Sequence, residues 1–232
     1  MLTLTPTELD IVTLSVKIAC WSTLGSVPVA MALAMVLART QFFGKALLDG
    51  AVHLPLVLPP VVIGYVLLLA LGRQGIIGEF LETHFGIVFA FRWTGAALAS
   101  ALMGLPLAVR AIRQSIESVD PRVEAAAHTL GANRLWVFCT ITLPLILPGV
   151  LNGAVLAFAR SLGEFGATIT FVSNIPGETQ SLPLAIYSLT QSPGGDAQAL
   201  RLCGMSIILS LGALIFSEYL SRKLKQRIHG HA

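Results

Sequence analysis

The 232-residue chain is 55% hydrophobic and only 12% charged, with a formal net charge of +3 and a mean hydropathy of +0.79. Soluble domains carry roughly 25% charged residues, so this composition excludes a disordered regulator, a fibrous repeat and a disulfide-framed secreted module, and leaves an integral membrane protein. The small basic excess is spread thinly between apolar stretches rather than gathered on one hydrophilic face, which argues against a nucleic-acid-binding surface.

The start, MLTLTPTELD, carries acids and no basic leader, so the first apolar segment is expected to persist as a helix rather than be cleaved. Crossing the hydrocarbon takes about 20 apolar residues. Stretches of that kind run over 11–38, 54–71, 93–109, 149–172 and 202–220, giving an expectation of five spans in one all-α domain. Between them lie a polar connection over 39–49, a segment at 76–91 that reads as a short interfacial helix, a mixed segment over 111–148, and the loops SNIPGETQSLP and SPGGD. Lys17, near the outer end of the first span, is expected to snorkel to the surface.

Cytoplasmic loops hold an excess of Lys and Arg. Arg39 and Lys45 follow the first span, Arg110, Arg113, Arg122 and Arg134 the third, and Arg222, Lys223, Lys225 and Arg227 the fifth. All fall on one side, whereas the other has Arg73 and Arg92 at helix ends and nothing basic between Ser173 and Ala199. The N-terminus is therefore expected outside and the C-terminus inside. Trp93 and Tyr219 sit near span ends, where interfacial anchors belong.

Chemistry-bearing motifs are few. Cys20, Cys139 and Cys203 are widely spaced with no CxxC and read as apolar packing residues. His53, His84, His128, His229 and His231 form no metal-ligand grouping. The sequence contains no G-x-x-x-x-G-K-[ST], no G-x-S-x-G and no H-E-x-x-H, so neither nucleotide binding nor hydrolytic catalysis is expected of this chain.

Polar and broken positions inside the spans are the candidates for function. Arg160 and Glu164 are costly in hydrocarbon, and their i, i+4 spacing allows an ion pair. Either this face lines the path of an anion, with Arg160 attracting it and Glu164 preventing tight capture, or the pair is structural. Ser161 and Thr168 would extend the stripe, and Gly163 and Gly166 permit close contact or bending. Pro55, Pro59 and Pro60 remove backbone donors at the start of the second span, marking either a gate or an ordinary packed bend. Gly149 and Gly153 form a GxxxG, a helix-packing signal.

In the mixed segment, Asp120 can cap a helix, Pro121 suits its first position, Glu124 favours its dipole and Gly131 can end it. A helix over 121–130 results, too short to cross a bilayer. It is either a docking element for a partner or a surface helix lying along the membrane.

The run EAAAHTLGANRLWVFCTITLP, residues 124–144, resembles the EAA signature of ABC importer permeases, the helix that docks on the ATPase subunit. From Gly131, nine residues lead to Ile141, Thr142, Leu143 and Pro144, a full match. Upstream the signature's acid would fall at Ala125, whereas Glu124 stands one position earlier, about 100° round the helix; Ala126 and Ala127 fill the alanine positions. HLPLVLPPVVIGYVLL, FARSLGEFGATITFVSNIPGET and SPGGD are similar to the permeases of molybdate ABC importers, and sulfate and tungstate permeases share related forms of the LGEFG segment.

This resemblance implies a type I ABC importer permease fold with five transmembrane helices and a cytoplasmic coupling helix, in a bacterial inner membrane. It implies a homodimer, two cytoplasmic ATPase subunits that bind the ATP, a periplasmic molybdate-binding protein, and no cofactor in this chain. Coupling would fall to Glu124, Ala125, Ala126, Ala127, Gly131, Ile141, Leu143 and Pro144, and the path or gate to Arg160, Ser161, Glu164, Thr168, Pro59 and Pro60. The rival substrates are sulfate and tungstate; a rival of another class is a passive channel or membrane anchor without an ATPase.

Overall fold

The computed structural model describes residues 5–229, and all regular elements among them are helical. His231 lies outside the described residues, as do the side chains of Arg222, Lys225, Arg227 and His229.

Helix α1 (Pro6–Arg39) opens with a capping box: the Glu8 N–H donates to Thr5 Oγ1 and the Thr5 N–H to Glu8 Oε2. The same Glu8 carboxylate pairs with Arg201 Nη2 at 2.8 Å, fastening the start of α1 to α11 (Asp196–His229). At 1.5 Å per residue α1 is roughly 50 Å long, more than the hydrocarbon requires. Beside it runs α5 (Trp93–Glu117). α7 (Arg134–Val137), a π turn (Phe138–Thr142) and α8 (Leu143–Leu162) form one continuous 29-residue rod.

Small residues set the spacing of α5 and α8. A Cβ on Gly104 would sit 3.2 Å from Ala157, one on Gly153 3.1 Å from Ala108, and one on Gly149 2.2 Å from the Ser115 Cβ. With lipid on the outside there is little hydrophobic gain from helix association, so close van der Waals approach of this kind holds membrane helices together. Ala30, Ala34, Leu37, Val109, Ile112 and Ile146 form a core at one end of this three-helix unit; Ile18, Ile63, Ala96, Met103 and Phe171 form a second towards the other.

The second and fourth stretches differ from the straight spans expected. Helix begins at Lys45, inside the supposed polar connection: α2 (Lys45–Val57) meets α3 (Pro60–Leu71) at 112°. Hydropathy registers a run of apolar residues but not its direction; Pro59 and Pro60 supply the break because neither carries a backbone N–H for the helical ladder. The fourth stretch starts earlier, at Leu143, and is interrupted at 163–165 before α9 (Gly166–Val172). Helix α4 (Ile76–Phe85) occupies the segment read as a short helix, and α6 (Pro121–Thr129) the segment expected over 121–130. One element was missed: α10 (Leu182–Thr190), nine residues between the two loops. Ser15 Oγ of α1 accepts the Leu182 N–H at 2.7 Å and anchors it. Cys20 and Cys139 are exposed rather than packed, and Cys203 is half-buried.

Candidate functional site

Two places collect the candidate residues. The first is α6. Asp120 caps it by accepting the Arg122 N–H at 2.9 Å, and Pro121 takes the first helical position. Gly131 closes it at φ +85°, with the Gly131 N–H donating to the His128 carbonyl and the Ala132 N–H to the Ala127 carbonyl. This paired arrangement needs a left-handed residue, which glycine supplies without steric cost.

Glu124 turns inward. Its Oε1 accepts from Arg39 Nη2 at 2.8 Å, at the end of α1, and from Thr142 Oγ1 at 2.7 Å, in the π turn. The π turn has a local cause. Pro144 has no N–H, and its ring would clash with the carbonyl four residues back in a regular helix; the wider turn, in which the Leu143 N–H reaches the Phe138 carbonyl, relieves this. Thr142 in that turn is buried and aimed at Glu124.

With its acid turned in, α6 exposes small and apolar groups beside Arg122, His128 and Thr129. Ala125 and Ala126 are exposed and Ala127 is buried beneath them. Val123, Ala126, Leu130, Gly131, Trp136 and Ile141 line a groove of about 620 Å³ between α6 and the rod. Leu143 is half-buried and Pro144 exposed. Among the described charges, Arg113 bridges Asp49 of α2 at 3.2 Å and Glu117 at 2.8 Å, which ties α2 to the end of α5.

The second place is where α8 and α3 break. Arg160 Nη1 lies 2.6 Å from Glu164 Oε2, with the Arg side chain 26% exposed and the Glu side chain 1% exposed. Glu164 Oε1 accepts the Ala167 N–H at 2.8 Å, so the carboxylate also serves the start of α9, where the helix dipole favours an anion. Oε1 is thus hydrogen-bonded within the fold and Oε2 is held by the ion pair with no hydrogen bond of its own, and only the arginine offers part of its charge outward.

The break brings in the proline pair. A Cβ on Gly166 would sit 2.7 Å from the Pro60 Cβ, and one on Gly64 2.4 Å from the Ala167 carbonyl oxygen. Irregular backbone at membrane depth persists where it is buried in protein or lines a cavity, and here the two interruptions cover each other. Phe165 packs on Tyr187 of α10 with ring centroids 5.2 Å apart.

The interruption at 163–165 separates Thr168, in α9, from Arg160 and Ser161, in α8, so the three do not share one unbroken helical phase. Thr168 Oγ1 instead donates to the Phe165 carbonyl at 2.9 Å, within its own first turn. Ser161 is buried without a hydrogen-bond partner, and the register set by Gly104 against Ala157 puts it level with Ser100 of α5. Lys17, expected simply to snorkel, lies with Nζ 3.7 Å from the centroid of the Trp93 ring.

Residues 26–226 match the family described as binding-protein-dependent transport system inner membrane component. The molybdenum transport system permease protein ModB of Haemophilus influenzae is 58% identical over 221 residues, covering 95% of this chain and 96% of its own length. The corresponding protein of Escherichia coli K12 is 58% identical over 224 residues, 97% and 98% of the two chains. The Escherichia coli sulfate transport system permease protein CysT is 36% identical over 202 residues, 86% of this chain and 71% of that one. Among solved structures, a bacterial ABC transporter that imports alginate superposes with a TM-score of 0.75 at 18% identity, covering 95% of this chain and 80% of that chain.

Proposed function

Because the chain belongs to the family of inner-membrane components of binding-protein-dependent transport systems, we propose that it is the permease of an ATP-driven molybdate importer, two copies of which enclose the path. The identity to molybdenum permeases over almost the whole of both chains supports the substrate, and the lower identity to a sulfate permease makes sulfate the second choice. Tungstate is the closest chemical competitor.

The observation that carries the mechanism is the braced helix α6. It is capped at both ends, fixed from behind by Glu124, and fronted by Ala125, Ala126 and an apolar groove. Such a surface suits insertion into a cleft on an ATPase subunit. Arg39, Lys45, Arg110, Arg113, Arg122 and Arg134 cluster at the same end, which by the positive-inside rule is the cytoplasmic one. The N-terminus then lies in the periplasm, on the side from which a molybdate-binding protein delivers its cargo.

ATP binds the two ATPase subunits, not this chain. Their closure moves α6, and the Glu124 contacts carry that movement into α1 and the α7–α8 rod. The helices rock about the interrupted layer at Pro59, Pro60 and Glu164. ATP can shift this equilibrium only through contacts that differ between the two states, and α6 is where those contacts are made. The oxyanion passes unchanged, with Arg160 contributing an attractive charge weak enough to permit release.

Proteoliposomes holding the permease, its ATPase and the binding protein should accumulate radiolabelled molybdate only with ATP inside the cytoplasmic face. Unlabelled tungstate should compete and sulfate should compete poorly. Accumulation of sulfate in preference to molybdate would overturn the substrate, and downhill flux without ATP would establish a passive channel.

A further inference from the structure

α1 carries two neighbouring depressions on one stripe. Asp10, Leu14 and Lys17 line a small polar pocket together with Thr7, Gly177 and Gln180. One turn further, Trp21, Gly25 and Val29 line an apolar groove of about 580 Å³ whose other walls are α5, from Trp93 to Leu105, and Leu67 and Leu71 of α3. Residues 14, 17, 21, 25 and 29 follow each other at helical spacing, so the polar pocket and the groove are successive parts of one channel along α1.

At the junction stands Lys17, its ammonium over the Trp93 ring at 3.7 Å. Trp21 tilts against the same ring with centroids 6.4 Å apart and is 56% exposed. Among the described residues no ion pair involves Lys17; its charge lies on a ring face, with Asp10 lining the same pocket. Arg92, exposed, precedes Trp93 in the chain.

The dimensions fit one leaflet. From Lys17 to Val29 the helix rises about 18 Å, and half of the hydrocarbon core is roughly 15 Å. Tryptophans mark the depth of the headgroups, and a basic residue at that depth attracts anionic lipid. A cation at the interface, a pair of indoles below it, and an apolar trough one leaflet deep are the complement of a single anionic glycerophospholipid.

We propose that this channel holds one such lipid, its phosphate at Lys17 and one acyl chain in the groove between Trp21, Gly25, Val29 and α5. The proposal rests on the membrane-spanning reading but not on the substrate or the ATPase.

The chain contains three tryptophans, two of them in this channel, so they report on it directly. Full-length protein carrying Trp136→Phe would be reconstituted into phosphatidylcholine vesicles, with brominated phosphatidylglycerol or brominated phosphatidylcholine added at increasing mole fraction. Brominated phosphatidylglycerol should quench at a several-fold lower mole fraction than brominated phosphatidylcholine. Lys17→Gln should bring the two curves together. Gly25→Leu, at a position where an added Cβ meets nothing within 4 Å, should fill the groove and reduce quenching by both. Coincident curves in the unsubstituted protein would show ordinary boundary lipid and overturn the proposal. Absence of quenching by either would show the groove covered by protein, such as a second copy, and would overturn it equally. Helix content and vesicle incorporation, followed separately by circular dichroism and flotation, identify a failure of the membrane reading itself.

Discussion

Glu124 and Arg39 lie 85 residues apart in the chain and meet at 2.8 Å. A single carboxylate oxygen joins three parts of the protein: the short helix α6, the end of α1, and through Thr142 the π turn of the long rod. A displacement of α6 therefore pulls on two spans at once. Glu124, one position before the place of the signature's acid, is an internal brace, and the signature position itself is the exposed Ala125.

Removing the brace should uncouple the machine rather than unfold it. Both side chains remain partly exposed, at 27% and 21%, so the pair itself is worth about 0.5–1 kcal/mol. Glu124→Ala and Arg39→Ala should each raise the ATP hydrolysed per molybdate imported by several-fold, and the double variant should do no more than Glu124→Ala alone, because Arg39 acts through its contact with Glu124 while Thr142 is a second contact of the same oxygen. The ratio of phosphate released to molybdate taken up in proteoliposomes measures this. An unchanged ratio in Glu124→Ala would show that α6 moves without its brace.

Gly131 tests the end of the same helix. An added Cβ would meet nothing within 4 Å, so only its φ of +85° matters. Gly131→Ala should cost about 1–2 kcal/mol through the left-handed backbone, and Gly131→Asn less. Cross-linking of α6 to the ATPase subunit should fall in the order Gly, Asn, Ala. Equal yields for all three would mean that α6 docks without a defined end.

The local features of α6 were legible in the sequence because they are written in consecutive residues: Asp120 and Pro121 at the start, Gly131 at the end. The inward turn of Glu124 was not, since it depends on Arg39 and Thr142 arriving from elsewhere. Arg160 and Glu164 pair as their i, i+4 spacing allows, although α8 ends at Leu162 and Glu164 stands in the interruption, whereas a stripe reaching Thr168 assumed that the helix continues. Gly163 and Gly166 hinted at the interruption without fixing it. Likewise Pro59 and Pro60 announced a break, but neither its 112° turn nor the close packing of α3 on α9 is encoded in composition.

That packing yields a third prediction. A Cβ at Gly64 would lie 2.4 Å from the Ala167 carbonyl oxygen and 2.9 Å from the Ala167 Cα, both backbone atoms that no rotamer change can move. Gly64→Ala should therefore separate α3 from α9 and cost on the order of 1–3 kcal/mol as overpacking does. Gly25→Ala, with free space around it, serves as the control for helix propensity. The thermal aggregation midpoint in detergent should drop for Gly64→Ala alone. If both variants melt together, the two interrupted helices are not held by this contact.

The role of Arg160 can be separated from its partnership with Glu164. Deleting the arginine leaves a carboxylate that is 1% exposed without its counter-charge, and breaking a buried pair in this way costs about 3–5 kcal/mol. Arg160→Ala should therefore lose both stability and uptake, which by itself does not distinguish path from scaffold. Arg160→Ala combined with Glu164→Gln removes the stranded charge while retaining a side-chain oxygen for the Ala167 N–H. This double variant should regain most of the aggregation temperature of the parent. If Arg160 draws the oxyanion, uptake stays at least ten-fold down at low molybdate although ATPase subunits still co-purify. Recovery of uptake together with stability would make the arginine a structural counter-ion, and the attractive charge in the path would have to come from another residue.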